Sequence, residues 1–261
     1  MCIRDRTTTA GALDLAELVA AMRGSVMSQA DVIVVLGRRL DFQLAYGSPA
    51  VFGGARWVRI ADNVEELRDN RRGDAEVLGS PRLALKALVN AGQGRKPSVD
   101  GAWRDRLCSG HAARSAKLAA SMAFAPDGED GRMHPNRLLA EVQRAIGDDA
   151  VVVADGGDFL AFTRVGIRCD TYLDPGPLGC IGVGTPFGIA AALACPERTV
   201  AVLTGDGAFG FNAMEIDTAV RHAVPLLVVV ANNGAWQIEV HDQTATPVSY
   251  THLTLPTNRE V

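Results

Sequence analysis

The sequence lacks the features of a nucleic-acid-binding or membrane protein. Its 26 Lys and Arg residues are outnumbered by 30 Asp and Glu, which gives a formal net charge of -4 and no excess of positive charge for a phosphate backbone. The most apolar stretches, residues 181–195 and 224–231, are short or interrupted by Gly and Pro, whereas a membrane span needs roughly 20 apolar residues. We therefore expect no nucleic-acid partner and no membrane association.

The five cysteines form no recognisable metal or redox motif. None belongs to a CxxC pair and none has a His at metal-ligand spacing, so neither a zinc site nor a thioredoxin-type redox site is predicted. Such cysteines fit a reducing compartment, and we expect the protein to be cytoplasmic. A content of 48% hydrophobic and 21% charged residues over 261 positions is typical of a globular protein with room for two domains.

The two ends of the chain do not look like parts of a folded domain. Residues 1–6 (MCIRDR) lack the apolar region of a signal peptide, and residues 248–261 (VSYTHLTLPTNREV) continue no structural pattern. Both segments resemble translated sequencing-adaptor read-through, although two ordinary termini are the alternative. We expect the genuine protein to run over residues 7–247 and to be a fragment of a longer chain.

Apolar strands alternate with helices in the first part of the chain, which predicts a parallel α/β sheet. We interpret residues 7–92 as one such domain, truncated at its N-terminal end, and residues 93–132, rich in Gly, Pro and charge, as a linker. Asp62, followed by Glu65 and Glu66, is predicted as the N-cap of a short helix. The predicted elements are a helix over 12–28, strands over 30–37, 57–60 and 75–78, a helix over 82–90 after Pro81, and a linker helix over 103–122.

Residues 133–247 repeat the alternation, and we interpret them as a second α/β domain that is truncated at its C-terminal end. The predicted fold class is therefore α/β, with two doubly wound domains whose sheets are mainly parallel. The predicted elements of the second domain are helices over 136–146, 182–195 and 212–222 and strands over 151–154, 199–204 and 226–231.

A pair of short motifs marks a candidate binding site in the second domain. The strand over 199–204 runs into GDG at 205–207, and the next apolar strand ends at NN, residues 232–233. Twenty-four residues separate Gly207 from Asn232, which suits a helix and a strand. In a parallel sheet both loops emerge at the carboxyl edge, where open α/β folds bind ligands. A lone GDG is only a turn, but the pair at this spacing indicates a site.

The residue types of the pair suit a diphosphate chelated to Mg²⁺. The carboxylate of Asp206 and the amide oxygen of Asn233 are hard ligands for a small cation that shares its remaining positions with phosphate. Glycines on both sides of Asp206 let backbone N–H groups approach the diphosphate. A helix beginning near Asn212 would add its positive end.

This signature resembles that of the thiamine-diphosphate (ThDP)-dependent decarboxylase and acetolactate synthase superfamily. The resemblance extends beyond the motif, because residues 30–88 are similar to the later part of the family's middle domain and residues 134–243 to most of its cofactor domain. It implies an enzyme that depends on ThDP and Mg²⁺. It also implies a homodimer or homotetramer acting on a small 2-oxo acid or 2-hydroxyacyl-CoA.

The resemblance also implies individual roles. Asp206, the side chain of Asn233 and the backbone carbonyl of Ala235 would bind Mg²⁺. Ile181 falls where the family places a large apolar residue beneath ThDP, which forces the bent conformer that lets the cofactor activate itself. A plain core residue is the alternative for Ile181. The cofactor-binding residues implied are Asp158, Phe159, Gly179, Ile181, Gly205, Gly207, Ala208, Gln237 and Ile238.

Several residues near these motifs have a structural alternative. His222 follows Arg221 near a helix C-terminus, where a cation complements the helix dipole, and we interpret it as structural. His241 and Trp236 follow the NN motif and face either the pocket or the core. Glu239 has the chemistry of a general base, but no partner can be named for it.

The family's activating glutamate, which lies on a separate pyrimidine-binding domain, has no counterpart after Thr7. We therefore assign no catalytic residue to this chain and expect it not to turn over alone.

The subgroup within the superfamily depends on finer resemblances. The segments 174–179 and 205–215 resemble the 2-hydroxyacyl-CoA lyase and oxalyl-CoA decarboxylase branch, with an acetolactate synthase large subunit as the alternative. Acetolactate synthases carry an Asp-Asp-Arg run where this chain has residues 41–43 (DFQ), which argues against FAD. A non-catalytic nucleotide-binding module is a further alternative, although Gly37 is followed by two Arg residues rather than by a GxGxxG turn.

Overall fold

The computed structural model describes residues 27–95, 101–128 and 131–245. The helix predicted over 12–28 lies almost wholly outside these ranges. The described chain divides into two compact units, with the boundary between Ala116 and Lys117. This boundary falls within a helix, Gly101–Phe124, in the segment predicted as a linker.

The first unit contains a three-stranded parallel sheet with strand order β1-β2-β3. Strands and helices alternate along this unit, as the pattern of apolar runs predicts. Its strands are β1 (Val32–Leu36), β2 (Arg56–Ala61) and β3 (Ala75–Leu78), and its helices are α1 (Pro49–Phe52), α2 (Val64–Leu67), α3 (Pro81–Gly92) and the first part of α4 (Gly101–Phe124).

The core of this unit is a small apolar cluster around Trp57 in the central strand. The ring of Phe52 lies edge-on to Trp57 at 4.9 Å, and the guanidinium of Arg71 lies over the indole at 4.7 Å. Arg59, in the same strand, is also buried and forms an ion pair of 2.6 Å with Asp69. A charge within a strand is costly to bury unless it is paired, so this ion pair fixes the loop after α2.

The second unit contains a four-stranded parallel sheet with strand order β5-β4-β6-β7. This order puts β4 and β6 at the centre, where both are buried along nearly their whole length. The strands are β4 (Val151–Asp155), β5 (Thr171–Leu173), β6 (Val200–Gly205) and β7 (Leu227–Ala231), and the helices after α4 are α5 (Pro135–Ile146), α6 (Asp158–Gly166), α7 (Gly184–Ala194), α8 (Asp206–Phe211), α9 (Glu215–Arg221) and α10 (Gln237–Ala245).

Helices cover both faces of this sheet. Alternate residues of β4 and β6, such as Val152 and Leu203, pack with α5 and α6 in one apolar cluster. The intervening residues, such as Val153 and Val202, pack with α7 and α9 in a second cluster. Because the side chains of a strand alternate between its two faces, one run of β-branched residues can supply both cores. The predicted doubly wound α/β class is confirmed.

The structure corrects two of the predicted elements. The N-cap of α2 is Asn63 rather than Asp62, because the Asn63 side chain accepts the N–H of Glu66 at 2.7 Å. The helix predicted over 212–222 is shorter, α9 (Glu215–Arg221), and a separate helix that was not predicted, α8 (Asp206–Phe211), precedes it. Gly205 is the N-cap and Asn212 the C-cap of α8, so this helix begins directly at the end of β6.

Four further α-helices and strands have no counterpart among the predicted elements. They are α1, α6, β5 and α10, each of which is short. Within the described ranges, no helix has the length and apolar character needed to cross a bilayer.

The close packing of α7 against β6 predicts a glycine-specific effect on stability. A Cβ on Gly188 would lie 2.4 Å from Cγ2 of Val202, whereas a Cβ on Gly210 would meet no atom within 4 Å. Gly188→Ala should therefore lower the free energy of unfolding by about 1–3 kcal/mol through overpacking. Gly210→Ala, the matched control, should leave it unchanged or raise it by about 0.5 kcal/mol. Urea unfolding of both variants is the measurement, and equal stabilities would contradict this packing.

A second prediction concerns the pH dependence of stability in the first unit. The hydrogen bond from Arg72 is the main cause that lowers the pKa of Glu76 from 4.5 to about 2. A depressed folded-state pKa means that the ionised carboxylate stabilises the fold above about 4.5, and that this stabilisation is lost as the pH falls toward about 2. Glu76→Gln should lower the melting temperature at neutral pH, and the difference from wild type should shrink below about pH 4.5.

Exposed Glu65, replaced by Gln, is the control for this measurement. A melting-temperature difference for Glu76→Gln that stays constant down to acidic pH would contradict the assignment. The effect should be modest, because Arg72 is largely exposed and solvent screens the pair.

Candidate cofactor site

Three parallel strands of the second unit end level with one another. In the sheet register, Asp155 of β4 pairs with Thr204 of β6, and Gly205 of β6 pairs with Ala231 of β7. The loops that follow these strands therefore emerge side by side at the carboxyl edge, as the motif spacing predicts. This register brings the GDG and NN motifs together.

A cavity of about 290 Å³ lies at this edge. Every residue predicted to bind Mg²⁺ or the cofactor lines it, together with five residues that were not assigned a role. The structure therefore gathers the predicted site residues into one pocket. The predicted residues are Asp158, Phe159, Gly179, Ile181, Gly205, Asp206, Gly207, Ala208, Asn233, Ala235, Gln237 and Ile238, and the additional ones are Gly156, Gly157, Ala231, Trp236 and Glu239.

The GDG motif forms the junction between β6 and α8. Gly205 is the N-cap and Asp206 the first residue of the helix, so the helix N-terminus lies at the motif itself rather than near Asn212, where it was expected. A Cβ on Gly207 would lie 2.3 Å from Nε1 of Trp236. A side chain at this position would force the Trp236 ring to move, so glycine lets this ring lie directly against the motif.

The NN motif folds into a tight turn stabilised by its own side chains. The amide oxygen of Asn232 accepts the N–H of Gly234, and that of Asn233 accepts the N–H of Ala235, each at 3.0 Å. The guanidinium of Arg132 donates to the main-chain carbonyl of Asn233 at 3.0 Å. An amide oxygen has two lone pairs, so the Asn233 side chain can hold this turn and still accept a cation.

Two glycines after β4 form the opposite wall. Gly156 has a positive φ of 108°, and a Cβ on Gly157 would lie 2.8 Å from Cγ2 of Ile238. The absence of side chains here lets α10 close over the cavity. Next to this wall, Nε2 of His241 lies 3.2 Å from a carboxylate oxygen of Asp158. Asp158 is a lining residue of the pocket, whereas His241 is not.

Asp155 is a buried carboxylate directly behind the pocket, and sequence reasoning gave it no separate role. One of its oxygens accepts the N–H of Gly156 at 2.7 Å, and the other accepts the N–H groups of Gly182 and Gly184 at 2.9 and 2.7 Å. Burial raises its pKa above the ordinary value, while these three N–H bonds act in the opposite direction. The signal in the sequence was an acidic residue ending a wholly apolar strand.

The pocket lining is acidic. It contains the carboxylates of Asp158, Asp206 and Glu239, and no Lys or Arg is among the described residues that line it. Charges of the same sign repel one another strongly in a cavity that is partly shielded from water. A polyanionic ligand would therefore need a cation to enter with it.

The donor set at this edge fits a hard divalent cation. Within the described ranges, no three His, Cys, Asp or Glu side chains gather in a way that could hold a metal by themselves. The predicted set has one carboxylate, from Asp206, and neutral oxygens from Asn233 and Ala235. Mg²⁺ prefers such oxygen ligands and completes its octahedron with waters and phosphate. The residues present therefore suit a metal shared with a bound diphosphate.

The structure distinguishes between a pocket role and a structural role for the residues near the motifs. Trp236 and Glu239 line the pocket, and Trp236 also packs on Phe211 with ring centroids 5.9 Å apart. His222 caps the C-terminal end of α9 and is not part of the pocket lining, which agrees with a structural role.

Comparison with known proteins agrees with this geometry. Residues 155–258 match the family described as thiamine pyrophosphate enzyme, C-terminal TPP binding domain. The match begins at Asp155 and includes both motifs. Residues 155–258 thus belong to this family of thiamine pyrophosphate enzymes, and the resemblance seen in GDG and NN is confirmed.

The similar proteins come from both branches considered for this chain. Over 230 residues the chain is 37% identical to the acetolactate synthase large subunit IlvG of Mycobacterium tuberculosis, which covers 85% of this chain and 40% of that protein. It is 32% identical over 225 residues to 2-hydroxyacyl-CoA lyase 2 of Mus musculus and 31% identical over 228 residues to that of Homo sapiens, covering 82% of this chain and 34% of each lyase. The chain therefore spans well under half the length of these relatives.

Proposed function

We propose that this pocket binds the diphosphate of ThDP through Mg²⁺, and that the whole protein is a ThDP-dependent C–C lyase or carboligase. The observation that carries the proposal is the level ending of β6 and β7, which brings Asp206 and Asn233 to the same cavity. The family membership of residues 155–258 supports the identity of the cofactor.

The charge of the pocket supports the metal. ThDP carries a polyanionic diphosphate, and three carboxylates line the cavity with no Lys or Arg among its described lining residues. A divalent cation between Asp206 and the diphosphate reverses this repulsion. We propose that Asp206, Asn233 and the carbonyl of Ala235 hold Mg²⁺.

We divide the remaining lining residues into two groups by the segment of the chain that carries them. At the diphosphate end, the N–H groups of Gly207 and Ala208 would donate to phosphate oxygens, and Gln237 and Ile238 of α10 would cover them. At the other end, Gly179 and Ile181 would hold the rings of the cofactor. When bound, ThDP supplies the electron sink for breaking or forming a C–C bond, and the protein supplies position and charge.

Two substrate classes are compatible with these resemblances. The segments 174–179 and 205–215 favour the 2-hydroxyacyl-CoA lyase branch, which would make the substrate a 2-hydroxyacyl-CoA. The 37% identity to acetolactate synthases favours a 2-oxo acid. In either case we propose a cytoplasmic homo-oligomer that takes its activating glutamate from a part of the protein outside this pocket and uses no FAD.

The metal assignment predicts the behaviour of Asp206. Asp206→Asn removes the only carboxylate of the proposed Mg²⁺ set, and should weaken ThDP binding in the presence of Mg²⁺ by about tenfold or more, roughly 1.4 kcal/mol. Isothermal titration calorimetry of the 261-residue chain with ThDP and Mg²⁺ is the measurement. Asp217→Asn, which removes an exposed carboxylate of the same unit, is the matched control and should bind as wild type.

Two results would contradict the proposal. If the wild-type chain binds no ThDP in the presence of Mg²⁺, the proposed cofactor site is wrong. If Asp206→Asn binds ThDP with unchanged affinity, the assignment of Asp206 as a Mg²⁺ ligand is wrong.

A further inference from the structure

We infer that Asp155 is a positioning residue for the cofactor-ring end of the pocket, because it holds the loop that carries Gly179 and Ile181. This inference rests on the proposed function for its ligand, but its structural part concerns this chain alone. Asp155 does not line the cavity. It acts through Gly182 and Gly184, the two glycines that follow Ile181 in the sequence.

The geometry behind this inference is a single buried carboxylate that joins two segments distant in sequence. Asp155 is 1% exposed and lies at the end of β4. Its Oδ2 atom accepts the N–H groups of Gly182 and Gly184, at 2.9 and 2.7 Å, across 27 and 29 positions of the sequence. These hydrogen bonds attach the end of the 176–184 loop to the central sheet. Residues 178–180, directly before Ile181, are exposed, so this part of the loop has little packing of its own to fix it.

Close packing makes this attachment specific. A Cβ on Gly184 would lie 3.1 Å from Oδ2 of Asp155, and a Cβ on Gly182 would lie 2.6 Å from Cβ of Phe211. On its other side Gly182 is held by Asn212, whose amide donates to the Gly182 carbonyl at 2.7 Å. Gly182, the residue after Ile181, is thus held from β4 through its N–H and from the C-cap of α8 through its carbonyl.

An amide cannot replace this carboxylate. Three N–H groups converge on its two oxygens, with Gly156 on one and the two loop glycines on the other. In Asp155→Asn one of these oxygens becomes an NH₂ group, so a donor must face a donor in either orientation. Such a buried mismatch costs more than the loss of one hydrogen bond, because the N–H is left unsatisfied. We expect the loop to detach from the sheet while β6, β7 and their motifs stay in place.

The two ends of the pocket can be tested separately with two ligands. Inorganic pyrophosphate with Mg²⁺ reports on the GDG and NN end alone, whereas ThDP with Mg²⁺ also needs the end formed by Gly179 and Ile181. Asp155→Asn should weaken ThDP binding by about tenfold, since displacement of a binding group by about 1 Å has effects of this order or larger. Its affinity for pyrophosphate should stay within about twofold of wild type, a difference of no more than ~0.4 kcal/mol.

Calorimetry of the 261-residue chain with both ligands measures this split. Ile181→Ala is the positive control for loss at the ring end, and Asp170→Asn, a change at an exposed carboxylate of the same unit, is the negative control. A purely structural role for Asp155 would weaken both ligands together, which would overturn the inference. A wild-type chain that binds neither ligand would instead refute the proposed function.

Hydrogen exchange tests the clamp independently of any ligand. In Asp155→Asn the amides of Gly182 and Gly184 should exchange at least about tenfold faster, while the amides of β7 keep their protection. Asn212→Ala, at an exposed position, provides a second variant if Asp155→Asn does not fold, and should accelerate exchange at the same loop. Unchanged exchange over the loop in the folded variants would overturn the inference, whatever the binding results.

Discussion

The parallel register of β4, β6 and β7 is the constraint on which the pocket depends. It places Asp155 beside Thr204 and Gly205 beside Ala231, so three loops from distant parts of the chain meet at a single edge. The strands keep this register because both faces of the sheet are buried, and a slip of one residue would exchange the two apolar clusters. Glycines then allow the loops to approach more closely than side chains would permit, most clearly at Gly207 and Gly157. Packing of the core therefore determines where the site lies.

The second constraint on ligand binding is the negative charge of the pocket. The pocket presents carboxylates and oxygens of amide and main-chain groups, which repel a free diphosphate but suit one that is bound to a divalent cation. In the same unit Asp155 is shielded from the cavity and is used for structure, where its three N–H partners compensate for burial. Two aspartates at neighbouring strand ends thus have different proposed tasks, because Asp206 faces the cavity and Asp155 faces the protein.

Much of this arrangement was predictable from local sequence. Runs of β-branched residues gave the central strands to within a residue or two, and the GDG and NN spacing gave the edge at which the motifs meet. The predictions failed where neighbouring candidates compete or where the decisive contact is distant. Asn63 caps α2 in place of Asp62 because its side chain reaches the correct N–H. The clamp made by Asp155 joins residues 27 to 29 positions apart and could not be read from the sequence around it. The same is true of Arg59, whose burial is explained by its ion pair with Asp69 and its hydrogen bonds to the carbonyls of Glu66 and Arg71.

The dependence of ThDP affinity on Mg²⁺ tests the central claim most directly. The acidic lining predicts that the 261-residue chain does not bind ThDP in the presence of a chelator and that binding appears as Mg²⁺ is titrated in. This coupling follows because the cation is needed to offset the carboxylates of the pocket as well as to hold the diphosphate. Equal ThDP affinity with and without Mg²⁺ would contradict the account, since it would show that the diphosphate enters this pocket without the cation.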